Sequence, residues 1–318
     1  MLSPRSNETL RYVVIPTLIA IVLYWITSSS FLSVIVLLLA SKKAEAVSKS
    51  KEMVPIIIVI LFVIGYHYIQ LQELLEQRKA IGLFIIGLYL PISTLVAGSV
   101  WIATERERML YRLLYASFFA TVVGFFIVLW LSGTSASALY TKEVYMSLIT
   151  SLVTFVMNNQ LPMNDMNELG KVVISVITNF GLTLFIAQFG VAVFISDMII
   201  HRYSIEYQNR LMRLSVPHEA IWFLLAGMSA ILFTFLVEIK LLESIAYNVS
   251  TVVALLYAVQ GISIASNYLV KKFPHMKPSR IFFLSGAFMI LPGANIIFII
   301  GFPLLGISET WITYRKNE

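Results

Sequence analysis

The sequence contains no cysteine and few charged residues of either sign. The lack of cysteine excludes disulfide bonds, thiolate catalysis and cysteine-ligated metal sites. Only 13% of the residues are charged, whereas soluble domains contain about 25%. In contrast, 58% of the residues are hydrophobic and the mean hydropathy is +0.85. This composition predicts a polytopic membrane protein.

Charged side chains are also absent from the interiors of three apolar segments, at 172–196, 219–237 and 246–270. Each is long enough to cross a bilayer, because about 20 helical residues span about 30 Å. No acidic residue inside a span is available to couple transport to protons or sodium ions. The chain also lacks a Walker A motif, a nucleophile elbow and a dinucleotide fingerprint. We therefore predict no catalytic residue, no metal site and no cofactor, and expect that the protein is not an enzyme.

The distribution of apolar runs predicts an all-α fold, a polytopic membrane helix bundle that forms a single domain over 1–318. Two early runs, 12–26 and 31–40, are separated by serines. This region, 12–40, is either one broken segment or a tight helical hairpin. Counting both runs gives nine membrane segments, and merging them gives eight.

Residues 133–170 are too polar to cross a bilayer. Their apolar side chains recur at helical spacing, which predicts an amphipathic helix at the non-cytoplasmic surface, followed by a loop at 158–170. The last apolar segment, 281–307, is interrupted by Pro292 and Gly293. It either spans the membrane with a kink or is re-entrant.

Loops that are rich in lysine and arginine alternate along the chain with loops that are poor in them. The rich loops together hold 14 of these residues and the poor loops hold 5. The rich set is 41–52, 103–112, 198–213 and 271–280, and the poor set is 71–80, 133–171 and 239–247. The positive-inside rule places the rich set in the cytoplasm. It also explains the net charge of +6 without a nucleic-acid partner. We expect a multi-pass protein of the bacterial inner (cytoplasmic) membrane, with the side of both termini left open.

Three polar residues in one span are the main candidates for a functional site. Gln260, Ser263 and Asn267 are spaced i, i+3 and i+7, so they share one helical face. That face must turn inward, because an unpaired amide in hydrocarbon costs several kcal/mol. It predicts either a site for a polar solute or hydrogen bonds between helices, which contribute about 0.6 kcal/mol each.

Three further residues complete the candidate substrate-binding set. Asn179 and Gln188 lie in the span 172–196, where they either contribute to a solute site or pack against neighbouring helices. Asn295 follows Pro292 and Gly293, so it either belongs to a discontinuous helix whose free backbone groups bind an ion, or follows a simple proline kink.

The second half of the chain carries motifs that resemble a known family. They are SVPHEAIW at 215–222, YAVQGI at 257–262 and LGISETW at 305–311, followed by Arg315. These motifs resemble those of the YybS-type family of predicted bacterial membrane proteins, although Glu309 stands where that family is expected to have an aspartate. The resemblance covers about 200–316 and implies a layout similar to the membrane-embedded substrate-binding subunits (S-components) of energy-coupling-factor vitamin transporters.

Two hypotheses for the function follow. The first is a solute-binding, transport-like membrane subunit with an intramembrane polar site, which implies the lipid bilayer and a small-molecule solute as partners. The alternative is a non-transporting membrane scaffold or assembly factor that recruits membrane or cytoplasmic proteins through its basic loops.

Overall fold

A computed structural model of the chain describes residues 13–43, 49–75, 81–105, 107–156, 163–201, 203–237, 239–291 and 295–315. Within these ranges the structure contains twelve α-helices and no strand, so the all-α prediction is confirmed. The helices are α1 (Ile15–Thr27), α2 (Ser30–Lys43), α3 (Lys49–Leu75), α4 (Ile81–Ala103), α5 (Met109–Ser132), α6 (Ala136–Val156), α7 (Met163–Ile200), α8 (Ile205–Met212), α9 (Ala220–Thr234), α10 (Lys240–Lys272), α11 (Pro278–Ile290) and α12 (Asn295–Ser308).

Five of the described helices are long and apolar enough to cross a membrane. Their spans are Met53–Glu73, Ile81–Ala103, Tyr111–Leu131, Glu168–Ile200 and Leu241–Lys272. Four further apolar stretches, Ile15–Thr27, Ser30–Lys42, Ala220–Thr234 and Ile299–Ser308, have fewer residues than a full crossing requires. The prediction of eight or nine spans is therefore not confirmed. Pro292 and Gly293, on which one predicted break rests, lie outside the described residues.

Several regions predicted as loops are partly helical. Helix α7 begins at Met163, inside the predicted loop 158–170, and a salt bridge of 2.8 Å between Lys171 and Glu168 lies in this part of the helix. Such an i, i+3 pair stabilises a helix even where the residues are polar. Similarly, α3 extends into both predicted loops beside it, 41–52 and 71–80, and α8 lies within 198–213. Polar composition alone therefore did not mark where these helices begin and end.

The region 133–170 does contain a helix, α6, as predicted. Its side chains Leu148, Leu152 and Phe155 are exposed, and Phe155 is the most exposed of them, at 81%. An apolar face of this kind can contact lipid. The position of α6 at the membrane surface stays a prediction.

The chain divides into two compact units, Met1–Ser196 and Asp197–Glu318. In the first unit, α1 and α2 are separated by Ser28, whose backbone is left-handed with φ of 50°. The hydroxyl of Ser33 in α2 donates a hydrogen bond of 2.8 Å to the carbonyl of Ala20 in α1. The two helices therefore pack against each other across a short turn.

Aromatic and basic side chains connect α4, α5 and α7 within the first unit. The buried guanidinium of Arg112 donates a hydrogen bond of 2.7 Å to the carbonyl of Trp101 and lies 3.9 Å from the centre of that indole ring. The ring of Trp101 also packs edge to face with the ring of Phe189 in α7, and the ring centroids are 6.1 Å apart. An arginine buried at this depth is stabilised by the backbone acceptor and by the cation–π contact.

Helix α10, with 33 residues, is the axis of the second unit. Helix α9 runs antiparallel to its first half, because Gly227 lies against Ser250 and Ala246 whereas Leu224 packs with Val253 and Tyr257. Glycine favours this close crossing, since a Cβ on Gly227 would lie 2.3 Å from the Ser250 hydroxyl oxygen and 3.3 Å from the Ala246 carbonyl oxygen.

Helix α12 runs antiparallel to the second half of α10. A Cβ on Gly261 would lie 2.0 Å from the carbonyl oxygen of Phe302, and a Cβ on Gly306 would lie 2.0 Å from that of Tyr257. The two backbones are therefore in direct contact, as small residues permit between membrane helices. As a result, α12 ends and α9 begins at the same level of α10, around Tyr257.

The short helix α8 packs against α10 and α11 in the second unit. Its first turn is capped by Ser204, whose hydroxyl accepts a hydrogen bond of 3.3 Å from the Tyr207 amide. Tyr207 is buried; burial raises the pKa of its phenol, the nearby Asp197 carboxylate raises it further, and Arg210 lowers it.

Candidate functional site

Gln260 lies near the middle of α10 and connects three parts of the second unit. Its side chain is only 4% exposed. The amide oxygen accepts a hydrogen bond of 2.7 Å from the backbone N–H of Val216, ahead of α9. The amide nitrogen donates to the Gly306 carbonyl at 3.2 Å and to the Glu309 carboxylate at 2.7 Å. A single side chain thus joins α10 to the start of α9 and to the end of α12.

Glu309 and Arg315 form a buried ion pair in the segment that follows α12, Glu309–Arg315, hereafter the final segment. Their side chains are 11% and 13% exposed. The Arg315 guanidinium binds both carboxylate oxygens, with Nε donating to one at 2.7 Å and Nη2 donating to the other. This bidentate geometry is the strongest form of an arginine–carboxylate pair.

The guanidinium of Arg315 also holds the chain between α8 and α9. Its Nη1 atom donates to the carbonyl oxygens of Met212 at 2.8 Å and Leu214 at 3.0 Å, and to the Ser263 hydroxyl at 2.9 Å. Ser263 is fully buried and donates in turn to the Leu211 carbonyl at 2.8 Å. We call Gln260, Ser263, Glu309 and Arg315 the polar cluster.

The structure brings together two of the six predicted site residues, Gln260 and Ser263, in this cluster. Asn267, one turn further along α10, is half-buried, and Asn295 is the half-buried first residue of α12. Asn179 and Gln188 belong to the first unit, where the Asn179 amide lies 3.4 Å from the Ser175 hydroxyl. Whether any of the six binds a solute stays a prediction.

Glu309 and Arg315 were not predicted from the sequence as site residues. They are 49 and 52 positions away from their partners Gln260 and Ser263, so no local periodicity relates them. The closing motif, with an acid at 309 and an arginine at 315, was recognised only as part of a family resemblance. It was the one available signal, because an acid and an arginine that close an apolar chain can pair in its interior.

Three hydroxyls on α10 are buried and have no hydrogen-bond partner among the described residues: Ser250, Tyr257 and Ser266. Tyr257 and Ser266 are fully buried, and Ser250 is 6% exposed. Most buried polar groups in proteins are hydrogen-bonded to protein or to ordered water. The hydroxyl of Tyr257, one turn from Gln260, is therefore a candidate to bind a water molecule or a polar group of a solute.

The segment 278–308 begins and ends against α8 or the residues that follow it. At its start, the Gln208 side chain accepts a hydrogen bond from the Ser279 amide at 3.0 Å and donates one to the Ser279 hydroxyl at 3.1 Å. After its end, Arg315 binds the Met212 carbonyl. Helix α12 itself runs away from the end of α10 at which the segment begins, so the choice between a spanning and a re-entrant segment stays a prediction.

In the first unit, His67 pairs with a residue that is distant in sequence. Its place near the end of a span, between two tyrosines, favours an interfacial position on sequence grounds. In the structure its Nε2 atom lies 2.8 Å from the hydroxyl of Tyr24, which is fully buried in α1. His67 is only half-buried, and its ring packs against Tyr24 and Tyr66. The contact connects α1 to α3.

A family model of membrane proteins matches most of the chain. The family model described as "Predicted membrane protein (DUF2232)" matches residues 57–303. No curated protein and no solved structure matches the chain. The matched region contains Gln260 and Ser263 and ends before Glu309 and Arg315.

Proposed function

The chain belongs to the family of predicted membrane proteins described as DUF2232, and from this premise we propose that it is a solute-binding, transport-like subunit of the inner membrane. The site lies at the polar cluster, where α12 ends and α9 begins beside α10. The observation that carries this proposal is the buried pair of Glu309 and Arg315, joined to the amide of Gln260.

Stability alone is a weak reason for a chain to keep such a pair. Replacing a buried ion pair by apolar side chains of similar size is often neutral or stabilising, because the charges must lose their hydration. Ionisable groups in the interior of membrane proteins usually mark a binding site or an ion path. The hydroxyl of Tyr257, which lies one turn along α10 from Gln260 and is buried without a partner among the described residues, supports a site that accepts one more polar group.

The course of the backbone supports the same proposal. Transporters often bind their substrates where a helix is interrupted, since the free backbone groups at the break become available. Here α12 ends at Ser308, and the carbonyl of Gly306 in its last turn accepts a hydrogen bond from Gln260. We propose that the final segment closes the site. The similarity in layout to transporter S-components is a further analogy in favour of solute binding.

The proposal predicts that a ligand stabilises the purified protein through the polar cluster. The test is a thermal-unfolding screen in detergent against water-soluble vitamins, their precursors and small carboxylates. A genuine ligand should raise the unfolding temperature of the wild-type chain and of Gln70→Ala, an exposed glutamine of α3. It should have little effect on Gln260→Ala and a reduced effect on Tyr257→Phe. A ligand that stabilises all four chains equally binds elsewhere, and a screen without any stabilising compound counts against the proposal.

A scaffold or assembly factor is the second candidate, and one observation favours it. The Gln260 amide already uses both of its N–H donors and accepts one hydrogen bond within the second unit, so the cluster can serve only to hold α9, α10 and α12 together. The protein would then work through its exposed surfaces, with no catalytic role. Crosslinking in native membranes followed by purification should recover a stoichiometric partner in this case, and recovery of the protein alone argues against it.

A further inference from the structure

Two basic segments, predicted from sequence to be cytoplasmic, meet on one face of the second unit. They are the chain around α8, 203–214, and the connection between α10 and α11, 271–280. The double hydrogen bond between Gln208 and Ser279 joins them, and the Lys277 ammonium lies 4.9 Å from the ring centre of Tyr203. We call these two segments together the basic face. Their relative position is fixed by contacts between side chains rather than by proximity in sequence.

The charge of this face is strongly one-sided. The two segments contain six lysines and arginines and a single acid, Glu206. That acid already accepts a hydrogen bond of 2.9 Å from Arg210. The remaining basic residues are Arg213, Lys271, Lys272, Lys277 and Arg280, and all but the half-buried Lys277 are exposed. The face therefore carries a net positive charge that the acids of these segments do not neutralise.

Exposed aromatic and apolar side chains lie among these charges. Tyr203 is 78% exposed, Ile205 is 77% exposed and Phe273 is 38% exposed. The Lys272 ammonium lies 5.7 Å from the ring centre of Phe273. Lys271 and Lys272 also end a helix whose preceding turns are apolar enough to cross a membrane. Aromatic rings mixed with basic side chains at the end of a span are typical of the headgroup layer of a bilayer.

From this arrangement we infer that the basic face binds the phosphate-bearing headgroups of anionic phospholipids. The lysine and arginine side chains bind the phosphates, and the aromatic rings insert at the level of the glycerol backbone. The charges of the face and of the lipid are complementary, and each basic residue near an anionic surface raises the affinity about fivefold. The function follows directly: the second unit is held at a leaflet that is rich in anionic lipid, whichever solute or partner the protein handles.

The experiment measures lipid binding to the full chain, purified in a neutral detergent, by native mass spectrometry and by thermal unfolding. Phosphatidylglycerol is compared with phosphatidylcholine, and inorganic phosphate serves as a third arm. The test variant replaces Lys271, Lys272, Lys277 and Arg280 by glutamine. The control is Lys142→Gln with Lys171→Gln, which removes two basic charges from the first unit and is matched in charge by a second test variant, Lys271→Gln with Lys272→Gln.

The wild-type chain and the control should retain phosphatidylglycerol at least tenfold more strongly than phosphatidylcholine, with a preference that weakens in high salt. The test variant should lose this preference while its unfolding without added lipid remains cooperative. Equal binding of both lipids by the wild-type chain overturns the inference, as does an unchanged preference in the test variant. Stabilisation by inorganic phosphate that equals that by phosphatidylglycerol also overturns it, because the face would then bind free phosphate. None of these outcomes depends on whether a solute binds at the polar cluster.

Discussion

Replacement of Arg315 by methionine tests the polar cluster most severely, because the change removes the guanidinium and keeps much of the side-chain length. Arg315 donates five hydrogen bonds, two to Glu309 and one each to Ser263 and to the carbonyls of Met212 and Leu214. Its loss leaves a carboxylate that is only 11% exposed without its cation. Breaking a buried pair in this way costs about 3–5 kcal/mol, so we expect a loss of stability of that size for Arg315→Met.

The double variant Arg315→Met with Glu309→Leu separates the ion pair from the rest of the cluster. Removing both charges also removes the cost of burying one of them alone. The carbonyls of Met212 and Leu214 and the amide of Gln260 still lose a partner. We therefore expect the double variant to be less destabilised than Arg315→Met alone, with a large coupling energy between the two positions.

The assay is reversible unfolding in mixed micelles of a mild and a denaturing detergent, followed by circular dichroism. The control is Arg108→Met, an exposed arginine at the start of α5, which should change the free energy of unfolding by no more than about 0.5 kcal/mol. The reasoning is refuted if Arg315→Met behaves like this control. It is equally refuted if the separate costs of Arg315→Met and Glu309→Leu simply add in the double variant, since the residues would then not interact.

Three other predictions use the same unfolding assay. Gly261→Ala should lower the free energy of unfolding by about 3 kcal/mol, because its methyl group would meet the Phe302 carbonyl. Its control is Gly301→Ala, which has no atom within 4 Å of the new Cβ and should be neutral or stabilising. Equal effects of the two variants would contradict the close crossing. Gln208→Ala should lower the free energy of unfolding by about 1–3 kcal/mol, because two hydrogen bonds to Ser279 are lost. The same change at its exposed neighbour, Asn209→Ala, should have little effect. A Gln208 variant of unchanged stability would count against the link between α8 and α11. The native state raises the pKa of Tyr207, so it holds the phenolic proton more tightly than the unfolded chain does. Stability should therefore fall as the pH rises above about 10. Tyr207→Phe should make that fall shallower, and an unchanged pH profile in this variant would exclude the effect.

The polar face of α10 illustrates what the sequence could predict. The spacing of Gln260 and Ser263 placed them on one face of a helix, and the cost of an unpaired amide in lipid required that face to turn inward. Both residues are indeed buried. The helix itself followed from its length and apolar composition, so the local part of the site was accessible to elementary arguments.

The partners of that face were not accessible in the same way. Glu309 and Arg315 reach Gln260 and Ser263 only because α12 packs antiparallel to α10 through Gly261 and Gly306. No period of 3.6 residues contains information about a crossing between helices so far apart in sequence. The helical residues after Met163 show a second limit, since polar composition indicated a loop whereas the chain is helical there, with an exposed pair of Lys171 and Glu168 that adds a few tenths of a kcal/mol.

The course of the final segment is the central claim, and labelling of introduced cysteines in intact membranes tests it most directly. The chain has no cysteine of its own, so single variants at the exposed positions Arg213 and Thr313 each report one site. Because Arg315 binds the carbonyls on both sides of Arg213, a membrane-impermeant maleimide should label Arg213→Cys and Thr313→Cys from the same side. Labelling of the two positions from opposite sides would contradict the contacts of Arg315 with the Met212 and Leu214 carbonyls, and with them the polar cluster.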